Sequence, residues 1–297
     1  MGWGTARGHR GAGAADQSRW RRKARCGATG GGTIALIDAL DPGLTEGVTL
    51  AVRVARASIA ERGRTKLPLV RPAGNAAPGA PDFAAQLPSH PARVLLPTDR
   101  AFDDAGWDDV VEQAVSGTVS FPGGSLTISP TPAMTLIDVD GMPPLQALAL
   151  AAVPAIASVL ARLDIGGSVG IDFPSLSGKQ DRQAVDIALE RALTGWKGER
   201  TAMNGFGFVQ LVSRLEGPSL VARFARHPAG AAARVLLRQA ERVAGPGTLL
   251  LVCHPAVRHA VKPEWEAELA RRTGRVVRWQ EDTGLALHGG FAQALAA

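Results

Sequence analysis

The chain has 297 residues, of which 45% are apolar and 20% charged, with a formal net charge of +6 and a pI near 10.1. That length accommodates two or three small domains with cores of their own, and the composition excludes a fibrous or wholly disordered chain. The pI suggests a nucleic-acid partner, yet the whole excess lies in residues 1–30, where Arg7, Arg10, Arg19, Arg21, Arg22, Lys23 and Arg25 face a single acid, Asp16.

Residues 1–32 are rich in Gly and Arg and lack apolar periodicity, so they read as a disordered basic leader. Within it, Gly30-Gly31-Gly32 lacks the preceding strand and following helix that a phosphate-binding loop needs. The leader also lacks the apolar stretch of a signal peptide. Two cysteines far apart in sequence, Cys26 and Cys253, form no disulfide framework and no Cys-x-x-Cys site. A reducing, cytoplasmic location is the expectation.

Thr33–Asp38 and Val48–Ala55 are rich in β-formers, with Asp41-Pro42-Gly43 as a turn between them. Pro72, Pro78, Pro81, Pro88 and Pro91 mark residues 71–91 as a linker or long loop. A short strand at Arg93–Leu96, a helix from Asp103 to Ser116, a turn at Phe121–Gly124 and strands at Ser125–Ile128 and Met134–Asp140 follow. The apolar helix over 144–162 approaches the ~20 residues of a membrane span. It is mostly alanine, however, and holds Gln146, Pro154 and Ser158, so it reads as a helix lying on a sheet, with no membrane partner. Val169–Phe173 is the next strand. Lys179–Leu193 is an amphipathic helix with Val185, Ala188, Leu189 and Ala192 in one stripe. Residues 201–214 read as a strand. From 230 the pattern restarts with a helix (Ala231–Val243), a strand (Thr248–Val252), a helix (Pro263–Arg272) and a strand (Arg275–Trp279). The fold class is therefore α/β in the mixed, α+β sense. It divides into the leader 1–32, a region 33–92, a core 93–222 and a small α/β domain 230–297.

Side chains two apart on a strand share a face, so Asp138 and Asp140 point the same way at the end of an apolar run. Ile171-Asp172-Phe173-Pro174 repeats the arrangement. Carboxylates so placed are costly unless they meet water or a cation. If the two strands are neighbours joined by the helix 144–162, three carboxylates converge at one sheet edge, where α/β sheets bind ligands. Hard oxygen ligands without nearby His or Cys suit Mg2+. The alternative is that these acids cap turns or pair with Arg162 and Lys179.

The segment Gly123-Gly124-Ser125-Leu126-Thr127-Ile128-Ser129-Pro130-Thr131-Pro132-Ala133-Met134-Thr135-Leu136-Ile137-Asp138-Val139-Asp140 resembles the approach to the first catalytic aspartate of the ribonuclease E/G family. Asp164–Gly167, Ile171–Phe173, Gln183–Val185, Phe206-Gly207, Ser213-Arg214 and Pro218–Leu220 are similar to later family blocks, in order. Val52–Thr65, including Ile59–Gly63, resembles the end of the family's OB-type RNA-binding module, and 230–297 its small C-terminal domain. The resemblance implies a deoxyribonuclease-I-like or ribonuclease-H-like catalytic core. It also implies an endoribonuclease of single-stranded RNA, with one Mg2+ on Asp138 and Asp172. Asp140 stands where the family usually has asparagine, as a supporting acid; Ser175 replaces a family acid and Gly205 a family arginine. Lys179, Arg182 and Arg214 remain as basic RNA contacts. No Cys-Pro-x-Cys follows Leu220, so no zinc-linked dimer is expected. Residues 66–92 are short where the family builds a pocket for RNA ends, and the OB-type module reads as partial. These departures leave a rival reading, an RNA- or ribosome-binding relative that kept the fold and lost the reaction, and a remoter one, a structural partner in an RNA-decay assembly.

Elsewhere, Cys253, His254 and His259 read as structural, because adjacent strand residues face opposite ways. Trp265 and Trp279 read as core packing in preference to base stacking.

Overall fold

The first seven strands build a barrel and a hairpin beside it. The computed structural model describes residues 3–7, 24–29, 34–38, 40–41, 43–45, 47–61, 63–73, 95 and 99–296. Strands β1 (Trp3–Arg7), β2 (Ala24–Thr29), β3 (Ile34–Asp38), β4 (Thr49–Arg56) and β7 (Leu69–Pro72) close in the order β1-β2-β3-β7-β4, and β4 returns to β1. The β3–β7 pair is parallel and the other neighbours are antiparallel. Strands β5 (Ile59–Glu61) and β6 (Arg64–Lys66) form the separate hairpin. Ala35 and Ile37, two apart on β3, fill the barrel with Val52 and Val70.

Two expectations change here. The leader, expected to be disordered, supplies β1 and β2, and these close into one five-stranded barrel with three strands of the region 33–92, from which the sequence had separated them. Closure pairs the backbone of every strand, so a segment joins without the apolar alternation that would make it visible in the sequence. Most of the proline-rich stretch and of the strand expected at 93–96 lies outside the described residues.

A short helix α1 (Ala101–Asp104) precedes α2 (Trp107–Ser116). The sequence suggested one continuous helix, but Gly106 between them takes φ +81°, a left-handed turn that breaks it. Strands β8 (Thr118–Phe121), β9 (Gly124–Pro130) and β10 (Thr135–Gly141) form an antiparallel meander. Helix α3 (Leu145–Arg162) then crosses to β11 (Ser168–Asp172), parallel to β10. Helix α4 (Lys179–Ala192), β12 (Gly198–Arg200) and β13 (Phe208–Ser213) complete a mixed sheet ordered β12-β13-β11-β10-β9-β8.

Helix α3 is long and apolar enough to cross a membrane. Its Leu148, Ala149, Ala152, Val153, Ile156, Val159 and Leu160 are nevertheless buried, in one cluster with Leu126, Ile137, Val169, Ile171 and Val209 of the sheet. Helices therefore cover one face of the sheet.

Helices α5 (Leu220–Arg226) and α6 (Pro228–Glu241) lead into a second mixed sheet. There β14 (Thr248–Cys253) lies between β15 (Val277–Glu281), parallel to it, and β16 (Phe291–Leu295), antiparallel, with α7 (Pro255–Ala260) and α8 (Pro263–Thr273) in the connection. Ala233, Leu236, Leu249, Leu251, Cys253 and Leu269 form its core.

Candidate metal and nucleic-acid site

Along β10, Ile137 and Val139 are buried under the helices, and the alternate residues Leu136, Asp138 and Asp140 look out from the opposite face. Along β11, Val169 and Ile171 are buried and Asp172 is exposed. The parallel register sets Asp138 directly beside Asp172. Neighbouring strands lie ~4.8 Å apart, so the two carboxylates share one face, one row and the carboxyl edge of adjacent parallel strands. Such an edge is where sheets of this kind take their ligands.

Electrostatics singles out Asp138. The Asp138 carboxyl titrates above its ordinary range, first because burial penalises its charge and then because Asp172 and Asp140 repel it; the Val139 backbone N–H acts in the opposite direction. A cation between the two carboxylates relieves that repulsion.

Asp140 stands apart from the pair. Its Oδ1 accepts a hydrogen bond from the Gly141 amide at 2.8 Å, and two residues along a strand carry it ~6.8 Å from Asp138. Among the described residues no three His, Cys, Asp or Glu side chains gather into a metal-holding group. The expected convergence of three carboxylates is thus a pair with an outlier. A pair is a donor set that fits Mg2+, which takes one or two carboxylates and fills its octahedron with water and substrate phosphate oxygens.

The three basic candidates separate. Lys179 opens α4, which starts just beyond Asp172. Arg182 turns inward, and its Nη1 donates to the carbonyls of Leu176 (2.5 Å) and Ser177 (3.1 Å), bracing the loop after β11. Arg214 follows the far end of β13, which runs antiparallel to β11, with Phe208 opposite Asp172 and Val212 opposite Ser168. Six residues of strand put Arg214 ~20 Å from Asp172. Sequence proximity to family blocks concealed that reversal. The N-termini of α3 and α4 also lie at the acid edge, and neither has a side-chain cap. Their first-turn amides carry partial positive charge suited to a phosphate.

Sequence reasoning missed two residues at this edge. Asn204 Oδ1 accepts from the amides of Phe206 (2.9 Å) and Phe208 (3.0 Å), shaping the turn into β13. An Asn before Gly-Phe-Gly is the signal that would have found it. Phe208 is the second, and the alternation Phe208, Gln210, Val212 marks the face it occupies. Gly207 sits at φ +88°, and a Cβ there would fall 2.7 Å from the Phe173 carbonyl oxygen. The Phe173 amide in turn donates to the Gly207 carbonyl at 3.2 Å.

The acid pair is exposed on the sheet face and lines neither of two clefts found elsewhere. Among the described residues, one cleft of about 620 Å³ lies beside α7 and α8, lined by Arg258, His259, Glu266 and Glu281. Another of about 510 Å³ lies between α3 and β8. His254 caps α7, its Nδ1 accepting from the Ala256 amide, and Cys253 is buried. Trp265 packs under Arg234, and Trp279 under Arg258.

Residues 80–213, which hold both aspartates, match the sequence model of the Ribonuclease E/G family. No curated protein matches the chain.

Proposed function

Taking the chain as a relative of the ribonuclease E/G family over residues 80–213, we propose that it is a cytoplasmic endoribonuclease that cuts single-stranded RNA with Mg2+ held by Asp138 and Asp172. One observation carries this reading: two exposed aspartates in register on adjacent parallel strands, one of them with a raised pKa. Structural ion pairs also perturb pKa values, but here burial and the acids Asp172 and Asp140 act in the same direction on Asp138, an environment that favours a cation. The mixed sheet with paired carboxylates on its adjacent central strands supports a ribonuclease-H-like or deoxyribonuclease-I-like core. The closed barrel supports an OB-type RNA-binding module.

Each residue at the edge has a role in this reading. Asp138 and Asp172 hold the ion. The uncapped first turn of α3 and the Lys179 ammonium receive phosphate oxygens, which the acids alone would repel, while Asp181 occupies the first turn of α4. Arg182 keeps the loop between Asp172 and α4 in place through the Leu176 and Ser177 carbonyls. A bound divalent cation supplies the charge that offsets the phosphodiester and makes nearby water more acidic. An exposed face suits a polymer that lies across it.

The test is cleavage of a short single-stranded RNA with Mg2+, with EDTA and with Asp138→Ala. Cleavage confined to the wild type with Mg2+ is the expected result, and activity that survives the Asp138 change sinks the assignment. Asp140, turned to its own chain, favours one rival, a relative that binds RNA without cutting it. That protein would shift RNA in a gel without turnover, and Mg2+ would make no difference.

A further inference from the structure

The helix-free face of the central sheet carries rows of side chains aligned by strand register. One row runs Phe208, Asp172, Asp138, Thr127, Thr118 across five strands. The row behind it runs Gln210, Gly170, Leu136, Ser129. The charged side chains in these rows are the two acids, and neither row holds a lysine or arginine. A polyanion therefore gains no charge attraction from the face itself, and affinity there has to come from another source.

Phe208 supplies it. The residue is directly opposite Asp172, and its ring leans into the second row over Gly170. A Cβ at Gly170 would fall 2.5 Å from Phe208 Cζ and 3.0 Å from Leu136 Cδ2. Glycine is what lets the ring rest on the sheet instead of standing away from it. Phe208 is half-buried, with the tip of its ring over Gly170 and beside Leu136. The turn before it is set by Asn204, and Phe206 beside it is 82% exposed. One strand spacing separates Phe208 from Asp172 and another separates Asp172 from Asp138, so the backbone of Phe208 lies ~7 Å from the middle of the acid pair, about the reach of one nucleotide.

We infer that Phe208, seated on Gly170, is a base-stacking platform that fixes the nucleotide next to the scissile phosphate and makes the site select an unpaired base there. The inference deepens the nuclease reading and rests on it for the position of the phosphate. Aromatic side chains on a sheet surface stack unpaired bases in this way, and a base in a duplex has no free face to offer. The platform accepts any of the four bases, since each has a π-face. It rejects a nucleotide that lacks one. On the opposite side of the acid pair, Thr127 and Thr118 continue the row with hydroxyls, which can hydrogen-bond ribose or phosphate but cannot stack.

Two measurements test this. A short single-stranded RNA carrying one 2-aminopurine, moved through the positions in turn, is bound to the Asp138→Asn protein. The inference predicts quenching at one position, next to the bond that the wild type cuts, and loss of that quenching with Phe208→Leu in the same background. Second, Phe208→Leu and a single abasic nucleotide at that position should each raise KM roughly five- to hundredfold, the span of one base–aromatic stack, with a smaller change in kcat. Combining them should add nothing. An abasic RNA cut as well as the intact one, or quenching that survives Phe208→Leu, overturns the inference and leaves the nuclease reading intact. A wild type that cuts no RNA overturns the nuclease reading, and the quenching pattern then decides the stacking claim by itself.

Discussion

Replacing Asp138 by Asn removes one of two like charges that the strand register holds side by side. At ~4.8 Å in water the repulsion between unit charges is about 0.9 kcal/mol, and physiological salt, with a Debye length near 8 Å, lowers it to about 0.5 kcal/mol. The water-like dielectric gives a lower bound, because both residues are exposed yet burial still penalises the Asp138 charge. Relief of the burial cost adds to this, so the metal-free variant should be more stable than the wild type by ~0.5–1 kcal/mol at neutral pH, a rise in Tm of ~1–4 °C. The pH dependence follows from the direction of the shift. A carboxyl whose folded pKa is raised favours the protonated folded form. Its stabilising contribution is complete below the unfolded pKa of about 3.9 and is lost as pH rises through the raised folded value. The variant's advantage should therefore appear at pH 7 and vanish by about pH 3, where both proteins carry an uncharged group at 138. Thermal unfolding in EDTA at the two pH values reads this directly. A variant that is no more stable at pH 7, or equally advantaged at pH 3, refutes the electrostatic account of the pair. With Mg2+ added, the order should reverse, because only the wild type keeps both carboxylates.

Three further outcomes follow from the same geometry. Gly207→Ala forces a side chain into φ +88° and against the Phe173 carbonyl; it should cost about 1–3 kcal/mol by urea unfolding and reduce RNA cleavage by displacing the neighbour of Asp172. Lys179→Ala should weaken RNA binding and lower the slope of log affinity against log salt by about 1, whereas Arg214→Ala, at the far end of β13, should leave the slope unchanged. The Cys253 thiol is pushed up by burial and by Glu281; in a Cys26→Ser background it should react with a disulfide reagent only as fast as the protein unfolds, and rapid reaction of the native protein would contradict its burial.

The acid pair was legible because strands have period 2. The alternation of Ile137 and Val139 with Asp138 and Asp140 told which side chains share a face, and one crossing helix made β10 and β11 neighbours. That reasoning could not see lateral turns within a residue. Asp140 shares the face, yet its carboxylate is turned to the Gly141 amide. It also could not see chain reversal, so Arg214, adjacent to family blocks in sequence, is far from the acids in space. Residues 3–7 and 24–29 hold no readable pattern, since backbone pairing with β3 and β4 incorporates them whatever their side chains. Strand β16 was missed for a similar reason: five residues after Gly289-Gly290 acquire strand character by pairing with β14.

The central claim is that Asp138 and Asp172 serve one ion in one reaction, and a double-mutant comparison reaches it most directly. Single-turnover cleavage of single-stranded RNA would be measured across a Mg2+ titration for the wild type, Asp138→Asn, Asp172→Asn and the double variant. Residues that act as a unit are strongly non-additive, so the account predicts that each single change abolishes most of the rate and that the double variant is no worse than either. Single variants that retain near wild-type rates, or losses that multiply in the double variant, would contradict it.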